Sequence, residues 1–193
     1  PNAQPGDIRF LDTNGDGLIN SDDITNIGNP WPKHIIGLSA NLTYKGFYLN
    51  TIFSTQLGHD IYRTYERSDV TFANYQSFWL DRWTPDNPSA ELPRLTSTDP
   101  NNNQRPSDFY VERGNFLRLR NLQFGWNLPN RIAEKLNMQD VKVYVTGNNL
   151  FTITKYRGFD PDIGTSGWIL DTGIDKGFYP NNRSFGAGIN VSF

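Results

Sequence analysis

The chain has no cysteine among its 193 residues, which excludes a disulfide scaffold and a thiol nucleophile and leaves the redox compartment open. An excess of one charge is missing too. The net charge is −2 and no basic run occurs, so nothing favours nucleic acid or a polybasic membrane patch. No apolar run approaches the roughly 18 residues of a membrane-crossing helix. The opening Pro1-Asn2-Ala3-Gln4 has neither the basic start nor the apolar stretch of a signal peptide. With the loop-like sequence that follows, this leads us to expect a piece of a longer polypeptide. Histidine is scarce: His34 and His59 have no adjacent nucleophile and no metal-ligand spacing, and read as strand-end or interfacial side chains. Asp81, Asp86, Glu112, Asp160 and Asp162 show no pairing at the separation glycoside hydrolysis needs. No catalytic activity is expected.

Aromatics, at 14%, and 17 glycines are plentiful although the mean hydropathy is only −0.60. That mix suits an all-β chain of half-polar strands and long polar loops. The period-2 signal is plainest over 185–193, where Phe185, Ala187, Ile189, Val191 and Phe193 alternate with Gly186, Gly188, Asn190 and Ser192. A hairpin is predicted over 34–58. There Ile36, Leu38, Ala40, Leu42 and Tyr44 alternate with small or polar residues, Lys45-Gly46 turns, and Phe47, Leu49, Phe53 and Leu57 resume the pattern. Region 114–154 reads as two strands joined by a helical turn. In the first strand Leu122, Phe124, Trp126 and Leu128 share one parity while Leu117 and Leu119 take the other. That slip near Arg120-Asn121 predicts a β-bulge, with Arg118 and Arg120 side by side on the polar side. A short helix is predicted over 131–138, with Ile132, Leu136 and Met138 on one side, and then Val141, Val143 and Val145 alternate with Lys142, Tyr144 and Thr146. An apolar strand face of this kind points into the core of a sandwich or at lipid around a barrel.

Three long loops remain: 1–33, 59–113 and 155–183. The first contains Asp12-Thr13-Asn14-Gly15-Asp16-Gly17-Leu18-Ile19-Asn20-Ser21-Asp22-Asp23, which follows the calcium-loop template. Asp12, Asn14 and Asp16 supply side-chain oxygens, Leu18 its carbonyl, Asn20 a direct or water-mediated contact, and Asp23 closes the shell. The alternative is an Asp/Asn/Gly turn without metal. Aspartate where the template has glutamate weakens bidentate closure. Any Ca2+ here is expected to be structural. In 59–113, residues 75–83 are predicted to form a short helix; Phe78, Trp79 and Trp83 there suit stacking on a sugar ring or packing of the loop on itself.

Short links (Lys45-Gly46 and the helical turn) alternate with the long ones, so all short links fall at one end of five strands and all long ones at the other. Outer-membrane barrels sort their loops this way. The alternative is a secreted, calcium-stabilised β-sandwich that binds carbohydrate.

Four stretches resemble the C-terminal part of SusC-like (RagA-like) TonB-dependent outer-membrane transporters. They are Asp12-Thr13-Asn14-Gly15-Asp16-Gly17, then Asn115-Phe116-Leu117-Arg118-Leu119-Arg120-Asn121-Leu122, then Val143-Tyr144-Val145-Thr146-Gly147-Asn148-Asn149-Leu150-Phe151-Thr152, and the aromatic terminus. The resemblance implies the last five strands of a barrel of about 22, with the long loops extracellular and the short turns periplasmic. It implies import of an oligosaccharide or peptide, a SusD-like surface lipoprotein as partner, and energy from TonB-ExbB-ExbD through a plug outside this chain. Outer-membrane lipid would surround the wall, and Phe193 would serve as a barrel-assembly signal.

Overall fold

The computed structural model describes residues 3–66, 74–135, 137–164 and 167–193. Eight strands follow in chain order: β1 (His34–Tyr44), β2 (Phe47–Leu57), β3 (Asp60–Arg63), β4 (Val111–Arg113), β5 (Phe116–Asn127), β6 (Asp140–Thr154), β7 (Ile174–Asp175) and β8 (Ser184–Ser192). The chain divides into two compact units, Pro1–Gly28 with Arg63–Val111, and Asn29–Tyr62 with Glu112–Phe193.

The second unit is built on a five-stranded antiparallel sheet in the order β1-β2-β5-β6-β8. Its first hairpin turns through Lys45 (φ 47°) and Gly46 (φ 85°), the left-handed pair that a two-residue turn requires. The register aligns the apolar parity of every strand. Leu42 faces Leu49, Leu49 faces Phe124, Phe124 faces Val145, and Val145 faces Ala187. At the slip in β5 the structure has the bulge: Ile52 pairs with Asn121 and Phe53 with Leu119, so Arg120 is the extra residue. One inserted residue returns Leu117 and Leu119 to the face of Leu122 and Phe124. The result is a single apolar face across five strands, and it is open. Leu38 is 62% exposed, and Leu42, Val145, Ile153, Phe185 and Ile189 are exposed with it. Aromatics gather at the hairpin end, where Phe47 stacks on Phe124 (5.9 Å) and Trp126 (5.6 Å).

The opposite face is polar. Asn50 donates to Gln123, Asn121 to Asn148 and Asn148 to Ser184, a run of amides across the wall. One row of the register reads Tyr48, Gly125, Tyr144, Gly188. Each tyrosine ring lies flat on the glycine beside it: a Cβ on Gly125 would stand 2.3 Å from Tyr48 Cζ. Gly125→Val should therefore lift Tyr48 off the wall at a cost of about 1–3 kcal/mol. A thermal-unfolding series of the full-length protein checks this. A valine tolerated beside an intact Tyr48 ring, with no loss relative to the Tyr48→Ser background, would refute the packing.

Three expectations need correction. Loops 59–113 and 155–183 contain strands: β3, β4 and β7 form a second, three-stranded sheet in the order β4-β3-β7. These strands are two to four residues long, too short for a period to register in the sequence. The helix over 131–138 is shorter, α1 (Asn130–Lys135), and it buries Ala133 while Ile132 stays exposed. Asn137 takes φ 55° and Met138 N–H reaches the Ala133 carbonyl (3.0 Å), so a left-handed cap stops the helix early. Leu136 lies outside the described residues.

The first unit is loop held by buried amides and one indole. Asp7 accepts from Arg94 (2.6 Å) and Asn103 (2.9 Å), Asn101 donates to the Ile8 carbonyl (2.9 Å), and Tyr110 donates to the Asn103 carbonyl (3.0 Å). The helix expected over 75–83 is a 3-10 turn, Ser77–Asp81.

Candidate functional site

The polar face of the wall carries the densest chemistry, and the loop 155–183 folds onto it. Arg118, on the polar side of β5, is 2% exposed. It donates to Thr152 Oγ1 (2.8 Å) on β6, to Asp162 Oδ2 (3.2 Å), and to Asp160 Oδ1. Arg120, displaced by the bulge, donates to Ser54 (2.8 Å) on β2 and to Asp162 Oδ2 (2.7 Å). The bulge is what lets neighbouring arginines on one strand share a carboxylate.

Asp160 is buried and saturated. Besides Arg118, its oxygens accept the N–H of Asp162 (2.9 Å), the N–H of Asn181 (2.9 Å) and the Asn181 amide (3.1 Å). Burial pushes its carboxyl up, but the Asn181 and Asp162 N–H groups and the Arg118 guanidinium prevail and hold it below the ordinary value. A second anchor lies further along the loop, where Tyr156 Oη donates to buried Asp175 Oδ2 (2.5 Å) and Asp175 Oδ1 accepts the Gly177 N–H (2.8 Å). Arg157 closes on Glu112 with Nε–Oε1 at 2.8 Å.

His59 follows β2 and is buried against Gly114, with its Nδ1 unpartnered among the described residues. Burial lowers its pKa, against the raising pull of Asp60 and Asp162. It stands at a strand end, between β2 and β3, with its side chain buried.

The calcium-loop residues lie together in the first unit. Asp12 accepts the N–H groups of Gly15 (2.6 Å) and Gly17 (2.8 Å), Asn14 that of Asp16 (2.9 Å), and Asp16 that of Leu18 (2.8 Å). Asp23 accepts the N–H groups of Thr13 (2.7 Å) and Asn20 (2.9 Å), and Asn20 caps the 3-10 turn Ser21–Asp23. The loop thus curls so that its first and last carboxylates serve its own backbone. The oxygens of Asp12 and Asp16 each retain a lone pair, whereas Asp23 Oδ1 accepts both the N–H and the hydroxyl of Thr13; an all-oxygen donor set of this kind is what a hard cation takes. Among the described residues, however, no three His, Cys, Asp or Glu side chains converge as a metal cluster.

Of the aromatic candidates, Trp79 is 6% exposed and donates to Glu66 (3.1 Å), with Tyr75 and Phe78 against its ring. It offers no face to a sugar. Phe78 lies under the Arg63 guanidinium (5.6 Å) and Trp83 covers Gly6, so the trio packs the loop. Phe193 stands exposed just beyond β8.

Sequence reasoning weighed Asp160 and Asp162 only as catalytic acids and missed them as anchors. The signal was available: two arginines on a strand's polar face need counter-charges once a loop covers them. Tyr156 and Asp175 carried no such mark.

No family model matches the chain. Over 99% of its length it is 34% identical to TonB-dependent receptor P3 of Formosa agariphila, covering 19% of that protein. Over its whole length it is 27% identical to TonB-dependent receptor SusC of Bacteroides thetaiotaomicron, covering 18% of it. A solved structure of the RagAB peptide importer in its closed-closed state superposes with a TM-score of 0.70 at 29% identity, over 91% of this chain and 19% of that one. The chain spans about a fifth of the length of these relatives, which are transport receptors and not enzymes. By sequence along nearly its whole length, and by the strand wall it folds into, it belongs to the SusC-like (RagA-like) TonB-dependent receptors.

Proposed function

We propose that the chain is a stretch of wall and loops in an outer-membrane importer of an oligosaccharide or peptide. The observation that carries this is the sheet with two opposite solvents: one continuous apolar face left open, and one polar face holding an anchored loop. An open sheet leaves unpaired edges on β1 and β8, which barrel neighbours, about 22 strands in all, would satisfy. The long loops then lie outside the cell, where a SusD-like lipoprotein works as partner, as the RagAB pairing of a related importer supports. TonB-ExbB-ExbD drives opening from the periplasm. Uptake of labelled oligosaccharides and peptides by cells carrying the full-length gene tests the reading. Uptake that persists without TonB, or without this receptor, would sink it. A carbohydrate-binding sandwich would have to cover Leu38, Leu42 and Val145 with a second sheet, and they are open.

Calcium belongs to the same reading as a structural ion in the first loop, held by Asp12, Asn14, Asp16, Asn20, Asp23 and the Leu18 carbonyl. The ion would supply only charge neutralisation and a fixed turn. Calorimetric titration of the full-length protein should show calcium binding that the double change Asp12→Ala and Asp16→Ala removes. Unaltered affinity would refute the assignment. Phe193 serves barrel assembly: deleting it should lower the amount of receptor in the outer-membrane fraction at unchanged synthesis, and equal amounts would rule the role out.

A further inference from the structure

Between the anchored loop and the wall lies a cleft of about 350 Å³, lined by Phe159, Pro180, Asn149 and Arg183 above the Arg118–Asp160 pair. Its charges divide into spent and unspent. Arg118 and Arg120 are cancelled by Asp160 and Asp162, and Asp160 has no acceptor site left after four hydrogen bonds. Arg183, just before β8, lines the cleft and makes no ion pair among the described residues. The site therefore has one positive charge to offer, beside a phenyl ring that is 63% exposed. A guanidinium binds a carboxylate through two parallel N–H donors, and a lone positive charge matches a monoanion better than a doubly charged phosphate.

We propose that this cleft is a carboxylate subsite of the import path, in which Arg183 grips a carboxylate of the solute while Phe159 covers the carbon skeleton next to it. This rests on the import reading. The carboxylate has two sources, the end of a peptide and the acid group of a uronate sugar.

The test uses full-length receptor in detergent and two probe pairs followed by saturation-transfer NMR: N-acetylphenylalanine with its amide, and glucuronic acid with glucose. At least one acid should bind about tenfold more tightly than its neutral twin. Arg183→Gln should bring that acid down to its twin and leave the twin unchanged, while Arg183→Lys keeps part of the preference. The responding pair identifies the source. If neither acid is preferred, or if Arg183→Gln weakens acid and twin alike, the subsite is overturned. TonB-dependent uptake that continues in that case leaves the import reading standing, so the two failures are distinguishable.

Discussion

Arg118→Ala in the full-length receptor should release the loop 155–183 from the wall, at a cost of about 3–5 kcal/mol. The size follows from what is left behind. Asp160 is 6% exposed, and it would keep its N–H donors but lose the one positive charge bonded to it among the described residues. Removing one partner of a buried pair leaves an uncompensated charge, which costs more than the pair contributed. Arg120→Ala is the control, because Arg120 is partly exposed and Asp162 retains Arg118; about 1 kcal/mol or less is expected. Protease susceptibility within the loop, with urea unfolding alongside, reads both. Equal effects of the two changes would mean that Arg118 does not anchor the loop. Acid should attack the same place in two stages. A buried His59 with a lowered pKa contributes stability that is complete above 6.5 and declines as pH falls below it towards the folded pKa. Asp160, also lowered, contributes stability present above 3.8 and lost only as pH falls through its own folded pKa. The loop should thus loosen somewhat below pH 6.5 and come free only in strong acid, and His59→Gln should remove the first stage alone.

The wall could be read from the sequence because its information is local and redundant. Leu38, Phe124, Val145 and Ile189 each sit in an alternation several residues long, and the bulge at Arg120 showed itself as a broken parity. The turn at Lys45-Gly46 was legible because its backbone needs left-handed φ at both positions. The loops were not legible for the opposite reason. The ion pair of Arg118 with Asp160 spans 42 positions and the amide lattice of Asp7 with Asn103 spans 96, and nothing periodic connects such partners. Short strands β3, β4 and β7 exist because they pair with one another, and no one of them would persist alone. Trp79 was ambiguous on composition, since an indole serves a sugar face and a loop core equally well; burial and the bond to Glu66 decide between them. The site is therefore half legible. Its arginines were placed on the right face, and their carboxylates were given the wrong task.

Leu38→Arg should be the most damaging single change on the open face of the wall, at about 2–4 kcal/mol in a lipid bilayer. Leu38 lies near the middle of β1, several residues from the aromatic cluster at the hairpin end, and its side chain is 62% exposed. An arginine there must either sit in hydrocarbon or bend towards the nearer headgroups, and mid-strand is where that reach is longest. Its neighbour Ser39 points the other way, onto the polar face, so Ser39→Arg should cost well under 1 kcal/mol. The pair isolates the solvent on each face, because position and charge are nearly identical and only the side differs. Refolding of the full-length receptor into lipid vesicles, read by heat-modifiable mobility across a urea series, gives both values. In detergent micelles, where water and headgroups lie closer, the gap should narrow. Equal costs for Leu38→Arg and Ser39→Arg in vesicles would mean that the apolar face is covered by protein, and the barrel reading would fail with it.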